Sequence, residues 1–185
     1  MDDTRQRLPL PDRLLIEGHG LVLREWSEAD LPDLAELYDD PQMARWTPAA
    51  DPFDAEAARA YLARAREARA QGERVQLAIT TDGGRARGEV LMFRCPVDAR
   101  DVELGYGVAA RHRRQGLAAR AVRALADHAT GHVGARRTVL RIEARNTASE
   151  AVAAATGFLL TDEEPVYRDI KGRPAELRTW SRPAA

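Results

Sequence analysis

Apolar positions along this chain follow two periods, and the change from one to the other divides it into elements. Leu21-Val22-Leu23-Arg24-Glu25-Trp26 reads as a first strand, and Leu31, Leu34, Ala35 and Tyr38 then recur at helical spacing. Ser27 is placed to cap that helix, with Glu28 and Asp30 in its first turn, where the helix dipole favours carboxylates. Asp39-Asp40-Pro41 breaks the pattern, and Asp51-Pro52-Phe53-Asp54 leads into a second helix with the stripe Ala58, Tyr61, Leu62, Ala65 and Ala68, ended by Gly72. Val75, Leu77 and Ile79 alternate as a strand. Asp82-Gly83-Gly84 is a tight-turn signal, and Gly88–Phe93 and Val102–Val108 complete an antiparallel meander.

The remainder changes to α/β order. A helix is predicted from about Gln115 to Ala129, stopping near Gly131, followed by a strand over Val139–Glu143. Thr147 to Thr156 should be a short helix opened by a capping box, Thr147 with Glu150, and closed by Gly157 as a left-handed cap. Phe158-Leu159-Leu160 and Glu176–Trp180 read as closing strands joined through a turn at Lys171–Pro174. Residues 1–19, charged and holding Pro9 and Pro11, read as an N-terminal arm, and 20–185 as a single domain.

Charge and cysteine usage narrow the function. With 28 basic and 29 acidic residues the net charge is −1, which argues against bulk attraction to nucleic acid or anionic membrane. No apolar run approaches the roughly 20 residues of a membrane span, and the polar N-terminus is unlike a signal peptide. Cys95 is the one cysteine, so no disulfide can form within the chain. These features predict a cytoplasmic protein.

One segment carries chemistry on its face. Arg113-Arg114-Gln115-Gly116-Leu117-Ala118 lies between an alternating strand and an amphipathic helix. A short glycine-containing loop at a helix N-terminus aims backbone N–H groups and the positive end of the dipole at one spot, which suits a phosphate or pyrophosphate. The spacing is neither a Walker loop nor a dinucleotide fingerprint. It resembles the acyl-coenzyme A pyrophosphate loop of the GNAT N-acetyltransferases, Arg/Gln-x-x-Gly-x-Gly/Ala. Asn146, Thr147, Ala148 and Ser149, followed by Gly157-Phe158, resemble the Asn-x-x-Ser … Gly-Phe signature of the branch containing the ribosomal-protein N-terminal alanine acetyltransferases. The stretch LVLREWSEADLPDLAELYDDPQMARW resembles the start of that branch, and the likeness runs from about Leu21 to Trp180.

The resemblance implies a mixed, splayed sheet of six to seven strands with about four helices. It implies acetyl-coenzyme A as co-substrate, no metal, and a primary amine as acceptor. The diphosphate would lie against Arg113, Arg114, Gln115, Gly116, Leu117 and Ala118. The pantetheine would run along Tyr106 and Val108 and contact Asn146 and Ser149. Gly105 and Gly107 flank Tyr106 and are read as marking a bulge or a close backbone approach. Glu103 becomes the candidate base and Ser149 the candidate acid toward the departing thiolate. The tyrosine that many members carry four residues before Gly-Phe is here Ala153.

Acyl transfer needs a neutral amine. An α-amine loses its proton about 2.6 pH units below a lysine, a difference of ~3.5 kcal/mol, so a modest base suits an N-terminal amine best. The acceptor is therefore expected to be the α-amine of a protein or peptide, the alternatives being a small-molecule amine (antibiotic, polyamine or amino acid) or a non-catalytic acyl-coenzyme A sensor. Trp46 and the loop near Tyr167 are candidates for the acceptor pocket, with core packing an equal reading for Trp46. The protein is expected to be a monomer or homodimer. His112 reads as a surface residue, His128 and His132 lack a third metal ligand nearby, and Cys95 reads as a strand-end residue.

Overall fold

The computed structural model describes residues 7–184. Among them, nine strands and five α-helices follow one another as β1 (Leu15–Gly18), β2 (Leu21–Glu25), α1 (Leu31–Tyr38), α2 (Pro41–Trp46), α3 (Ala55–Ala70), β3 (Arg74–Thr80), β4 (Gly88–Arg94), β5 (Val102–Val108), α4 (Leu117–Gly131), β6 (Arg137–Glu143), α5 (Thr147–Ala155), β7 (Leu159–Leu160), β8 (Val166–Ile170) and β9 (Arg173–Pro183). The strands form one sheet in the order β1-β2-β3-β4-β5-β6-β9-β7, with β8 beside β9. All neighbours are antiparallel except β5 and β6.

The alternating strands bury residues on both faces. Val75, Leu77 and Ile79 of β3 join Leu104 of β5 and the apolar stripe of α4 (Leu117, Ala121, Leu125) in one core, which Ala153 and Phe158 extend. Ala78, between them, points to the other face, where Leu34, Leu37, Tyr38, Phe53 and Leu62 close a second core under α1–α3. No helix among the described residues is long and apolar enough to cross a membrane.

Several boundaries differ from those expected. Residues 1–6 of the predicted arm lie outside the described residues, but Leu8, Leu14 and Ile16 are buried and Leu15–Gly18 is a strand paired with β2. The helix expected from Ser27 opens as a 3-10 turn over Glu28–Asp30, since the buried Asp30 carboxylate takes up the Ser27 N–H and hydroxyl before Leu31 begins α1. Asp40-Pro41 ends one helix and starts another, because the Asp40 carboxylate accepts the N–H groups of Gln42 and Met43 as the cap of α2. In α5 the cap is Asn146, whose side chain accepts the Ser149 N–H. Thr147 is already the first helical residue, and Glu150 pairs with Arg178. Gly157 does take the left-handed conformation.

The sheet opens where a bulge was expected, but without one. β4 and β5 stay in unbroken register from Gly88↔Val108 to Arg94↔Val102. The splay comes from β5 and β6, which pair only at Val102↔Thr138 and Glu103↔Val139. The glycines serve close approach. A Cβ on Gly88 would lie 2.4 Å from the Gly107 carbonyl oxygen, and one on Gly107 would lie 2.5 Å from Met43 Cε. Gly88→Ala meets rigid backbone and is expected to destabilise by about 2–3 kcal/mol, whereas Gly107→Ala, opposed by a flexible side-chain end, should cost less. Urea unfolding of the two variants measures the order.

Candidate active site

The gap between β5 and β6 has a definite chemical lining. Ala109 N–H donates to the Arg87 carbonyl. Antiparallel pairing alternates, so the odd-numbered residues of β5 bond toward β4 and the even-numbered ones, Tyr106 and Val108, turn their N–H groups toward β6. Since β6 pairs no further than Val139, those N–H groups face the opening. The Val108 carbonyl is taken up by Arg113 Nε at 3.1 Å.

The opening leads to the basic loop. Gly116 sits at φ +70° as the residue before α4, and Arg114 at φ +63°. The left-handed conformation at Gly116 turns the chain sharply into the helix, and nothing lies within 4 Å of where its Cβ would be. Among the described residues, no acceptor takes up the N–H groups of Gln115, Gly116, Leu117 or Ala118. Free donors, open space over a glycine and the α4 N-terminus fit a diphosphate.

The two loop arginines divide. Arg114 is exposed beside these donors. Arg113 turns inward, and its Nη2 pairs with Asp40 Oδ1 at 2.7 Å. Asp40 thus caps α2 and anchors the loop at once. Burial raises its carboxyl, but the Arg113 guanidinium and the α2 N–H groups outweigh that and hold it below the usual carboxylate range. A depressed carboxyl stabilises the fold above its unfolded-state pKa and loses that contribution as pH falls through its folded value. Asp40→Ala should cost about 1 kcal/mol at neutral pH and flatten the acid side of a melting-temperature profile, which thermal scans across pH would reveal.

Glu103 lies on the sheet face opposite Leu104 and is buried. Arg168 of β8 donates to both its oxygens, Nη1 to Oε1 and Nη2 to Oε2, each at 2.7 Å. Arg141 Nε stands 3.9 Å from Oε2. The side chain is thereby clamped at the closed end of the splay. Arg141 also reaches Thr179 and, at 3.6 Å, the sulfur of the buried Cys95.

On the opposite wall, Ser149 sits in the first turn of α5, half-buried, with its hydroxyl making no hydrogen bond among the described residues. Asn146 is occupied as the α5 cap. Ala153 is fully buried in the core. Tyr106 crosses from β5 and donates its phenol to the Ser149 carbonyl at 3.3 Å.

The β8–β9 turn packs on α2, with Lys171 Nζ donating to the Ala44 carbonyl at 2.8 Å and Arg173 to that of Arg45. Trp46 belongs to neither core: it is half-buried beneath the Arg45 guanidinium, 4.6 Å from the ring centre. Tyr167 is exposed and bonded to Glu176. His112 is half-buried rather than a surface group, its Nε2 enclosed with no hydrogen-bond partner among the described residues. His128 and His132 stack on each other, 4.7 Å between ring centres. Sequence reasoning passed over Glu89, a buried carboxyl on β4 bonded to the hydroxyls of Tyr38 (2.7 Å) and Tyr61 (2.6 Å). Its only trace was a charged residue inside an otherwise apolar strand.

Comparison with known proteins agrees with this geometry. No curated protein matches the chain in sequence. Among solved structures, Mycobacterium smegmatis RimJ in complex with CoA-disulfide is 21 % identical with a TM-score of 0.79, over 96 % of this chain and 90 % of that one. RimL, the ribosomal L7/L12 α-N-protein acetyltransferase in complex with coenzyme A, is 20 % identical with a TM-score of 0.73, over 92 % and 98 %. The microcin C7 self-immunity acetyltransferase MccE, in complex with acetyl-CoA and AMP, is 16 % identical with a TM-score of 0.75, over 90 % and 93 %. At these identities the likeness is one of fold. The model of the acetyltransferase (GNAT) domain matches residues 20–159, most of the chain. The splayed sheet, the donor-lined gap and the loop before α4 are thus those of a GNAT domain: the chain belongs to the GNAT family and is an acetyl-CoA-dependent N-acetyltransferase.

Proposed function

We propose that this enzyme acetylates the α-amine of a protein or peptide in the cytoplasm, with coenzyme A held along β5. The observation that carries the reading is the set of unpaired donors beside the splay, the N–H groups of Gln115–Ala118 at the loop and those of Tyr106 and Val108 facing the gap, with Glu103 on the same strand at the last β5–β6 pair. The loop would hold the diphosphate with Arg114 beside it, and the strand amides would pair with the pantetheine amides as an added strand does. Val108 N–H is the donor suited to the thioester oxygen.

The amine attacks the thioester carbon directly, and its positive charge develops near Glu103. Because Arg168 occupies both oxygens of that carboxylate, Glu103 acts as a fixed negative charge that stabilises the new ammonium and passes its proton on through water. Arg113 holds the loop through Asp40 rather than touching the diphosphate itself. The likeness to RimL, a ribosomal L7/L12 α-N-protein acetyltransferase, supports a protein N-terminus. MccE, a self-immunity enzyme, favours a small-molecule amine as the second reading.

Paired peptides decide between them, one with a free α-amine and a blocked lysine, the other with the reverse. The expected result is thiol release only with the free α-amine. Turnover of polyamines or aminoacyl compounds with neither peptide acetylated would replace the reading by the second. Absence of acetyl-coenzyme A binding by calorimetry would remove it altogether.

A further inference from the structure

Acyl transfer ends with a sulfur carrying an electron pair, and the wall where many family members hold a tyrosine is blank here, since Ala153 is a fully buried methyl. The hydroxyl four residues before it, Ser149, lies in the α5 first turn. A second hydroxyl reaches that turn from across the splay. Tyr106 belongs to β5, three positions beyond the last β5–β6 pair, so its ring stands where the strands have parted. It packs against the core shared by α4 and α5 with its ring largely buried, and its Oη lies 3.3 Å from the Ser149 carbonyl oxygen. That contact is long for a hydroxyl donor, for which about 2.7–2.8 Å is usual. The bond is weak and can be exchanged for a better acceptor without moving the ring. On the reading that pantetheine occupies this gap, the better acceptor is its terminal sulfur.

We propose that Tyr106 donates a hydrogen bond to the coenzyme A sulfur as the thioester breaks, replacing the tyrosine missing from α5. The step balances without oxidant or cofactor. The amine nitrogen forms its bond to the acetyl carbon, the carbon–sulfur bond breaks, and its electron pair stays on sulfur. The amine proton leaves through water toward Glu103. The phenol keeps its own proton throughout, and only its acceptor changes, from the Ser149 carbonyl to the thiolate. Burial pushes the phenol up to about 12, partly offset by the bond to Ser149, so the donor is intact across the working pH range. An alkyl thiol near 8.5 is the stronger acid, so this is hydrogen-bond stabilisation of a thiolate and not transfer of the phenolic proton.

The test is Tyr106→Phe beside Ser149→Ala, read in two ways. In the complex with coenzyme A itself, the ultraviolet absorbance of the thiolate is followed against pH. Loss of the donor should raise the bound thiol's pKa by about one to two units, the worth of a hydrogen bond to a charged group. In turnover, Tyr106→Phe should lower kcat about a hundredfold while coenzyme A affinity by calorimetry stays close to that of the wild type, and Ser149→Ala should move the bound thiol's pKa less than Tyr106→Phe does. The proposal is overturned if the bound thiol titrates identically in Tyr106→Phe and wild type, or if the shift appears in Ser149→Ala instead. It is overturned equally if Tyr106→Phe loses coenzyme A affinity but keeps kcat at saturation, since the ring is then a packing surface. Wild-type protein that binds no coenzyme A would sink the underlying reading of the gap along with it, which separates the two failures.

Discussion

Glu103→Gln should reduce kcat/KM about a hundredfold or more while leaving coenzyme A affinity unchanged. The amide keeps the shape of the side chain and removes the negative charge at the closed end of the splay. Among the described residues no hydrogen bond joins Glu103 to the loop or to Tyr106 and Val108, so cofactor binding and the charge should be separable in one molecule. The variant also strands Arg168 and the buried Arg141, whose guanidinium is 3.9 Å away, so some loss of stability accompanies the loss of rate. Arg168→Gln distinguishes the two effects. It retains the carboxylate and removes the clamp, leaving a buried anion with only Arg141 near it, at a cost of about 3 kcal/mol. If Glu103 is needed as a charge, the Arg168 variant should melt early yet retain more activity than Glu103→Gln. Full activity in Glu103→Gln, measured by thiol release at saturating acceptor, would remove Glu103 from the chemistry.

What could be read from the chain depended on how many of an element's neighbours were local. β2 to β6 were legible because each alternates between two buried faces, as Val75, Leu77 and Ile79 do around Ala78. α2 was invisible because only Met43 of its six residues is buried, so no period exists to detect. β8 was missed for a similar reason, since none of its residues is buried and β9 is its only strand partner among the described residues. The loop before α4 was legible because its donors belong to consecutive residues. The ion pairs that govern the site were not, since Arg113–Asp40 and Arg168–Glu103 join positions 73 and 65 apart, and no spacing rule encodes them. The capping of α5 shows the scale of local error: the cap shifts by one residue, from Thr147 to Asn146, and ties the Asn146 side-chain oxygen to the Ser149 N–H.

Removing Glu89 should be among the costliest changes to stability in this protein. Its side chain is 1 % exposed, and Oε1 accepts from both Tyr38 and Tyr61, whose hydroxyls lie 2.7 Å apart and beside Gln76. Glu89→Ala would open a cavity and strand two buried hydroxyls, for about 3–4 kcal/mol in urea or guanidinium unfolding. Glu89→Gln should behave differently, and the sign follows from linkage. Burial raises the Glu89 carboxyl above its ordinary value, against the pull of the hydroxyl bonds from Tyr61 and Tyr38 and of the neighbouring Gln76 and Trp26 N–H groups. A group whose folded pKa exceeds its unfolded one favours the fold at low pH and loses that contribution as pH rises through the folded value. Wild-type stability should therefore carry a downward slope above the ordinary carboxylate range that Glu89→Gln lacks, so the variant gains on wild type as pH rises. Parallel slopes for the two proteins would mean that Glu89 titrates in the fold as it does in the unfolded chain. The same strand pairs Glu89 with Gly107 near the end of β5. The ionisation state of this carboxyl thus bears on how firmly β5, beside its gap with β6, is held from behind.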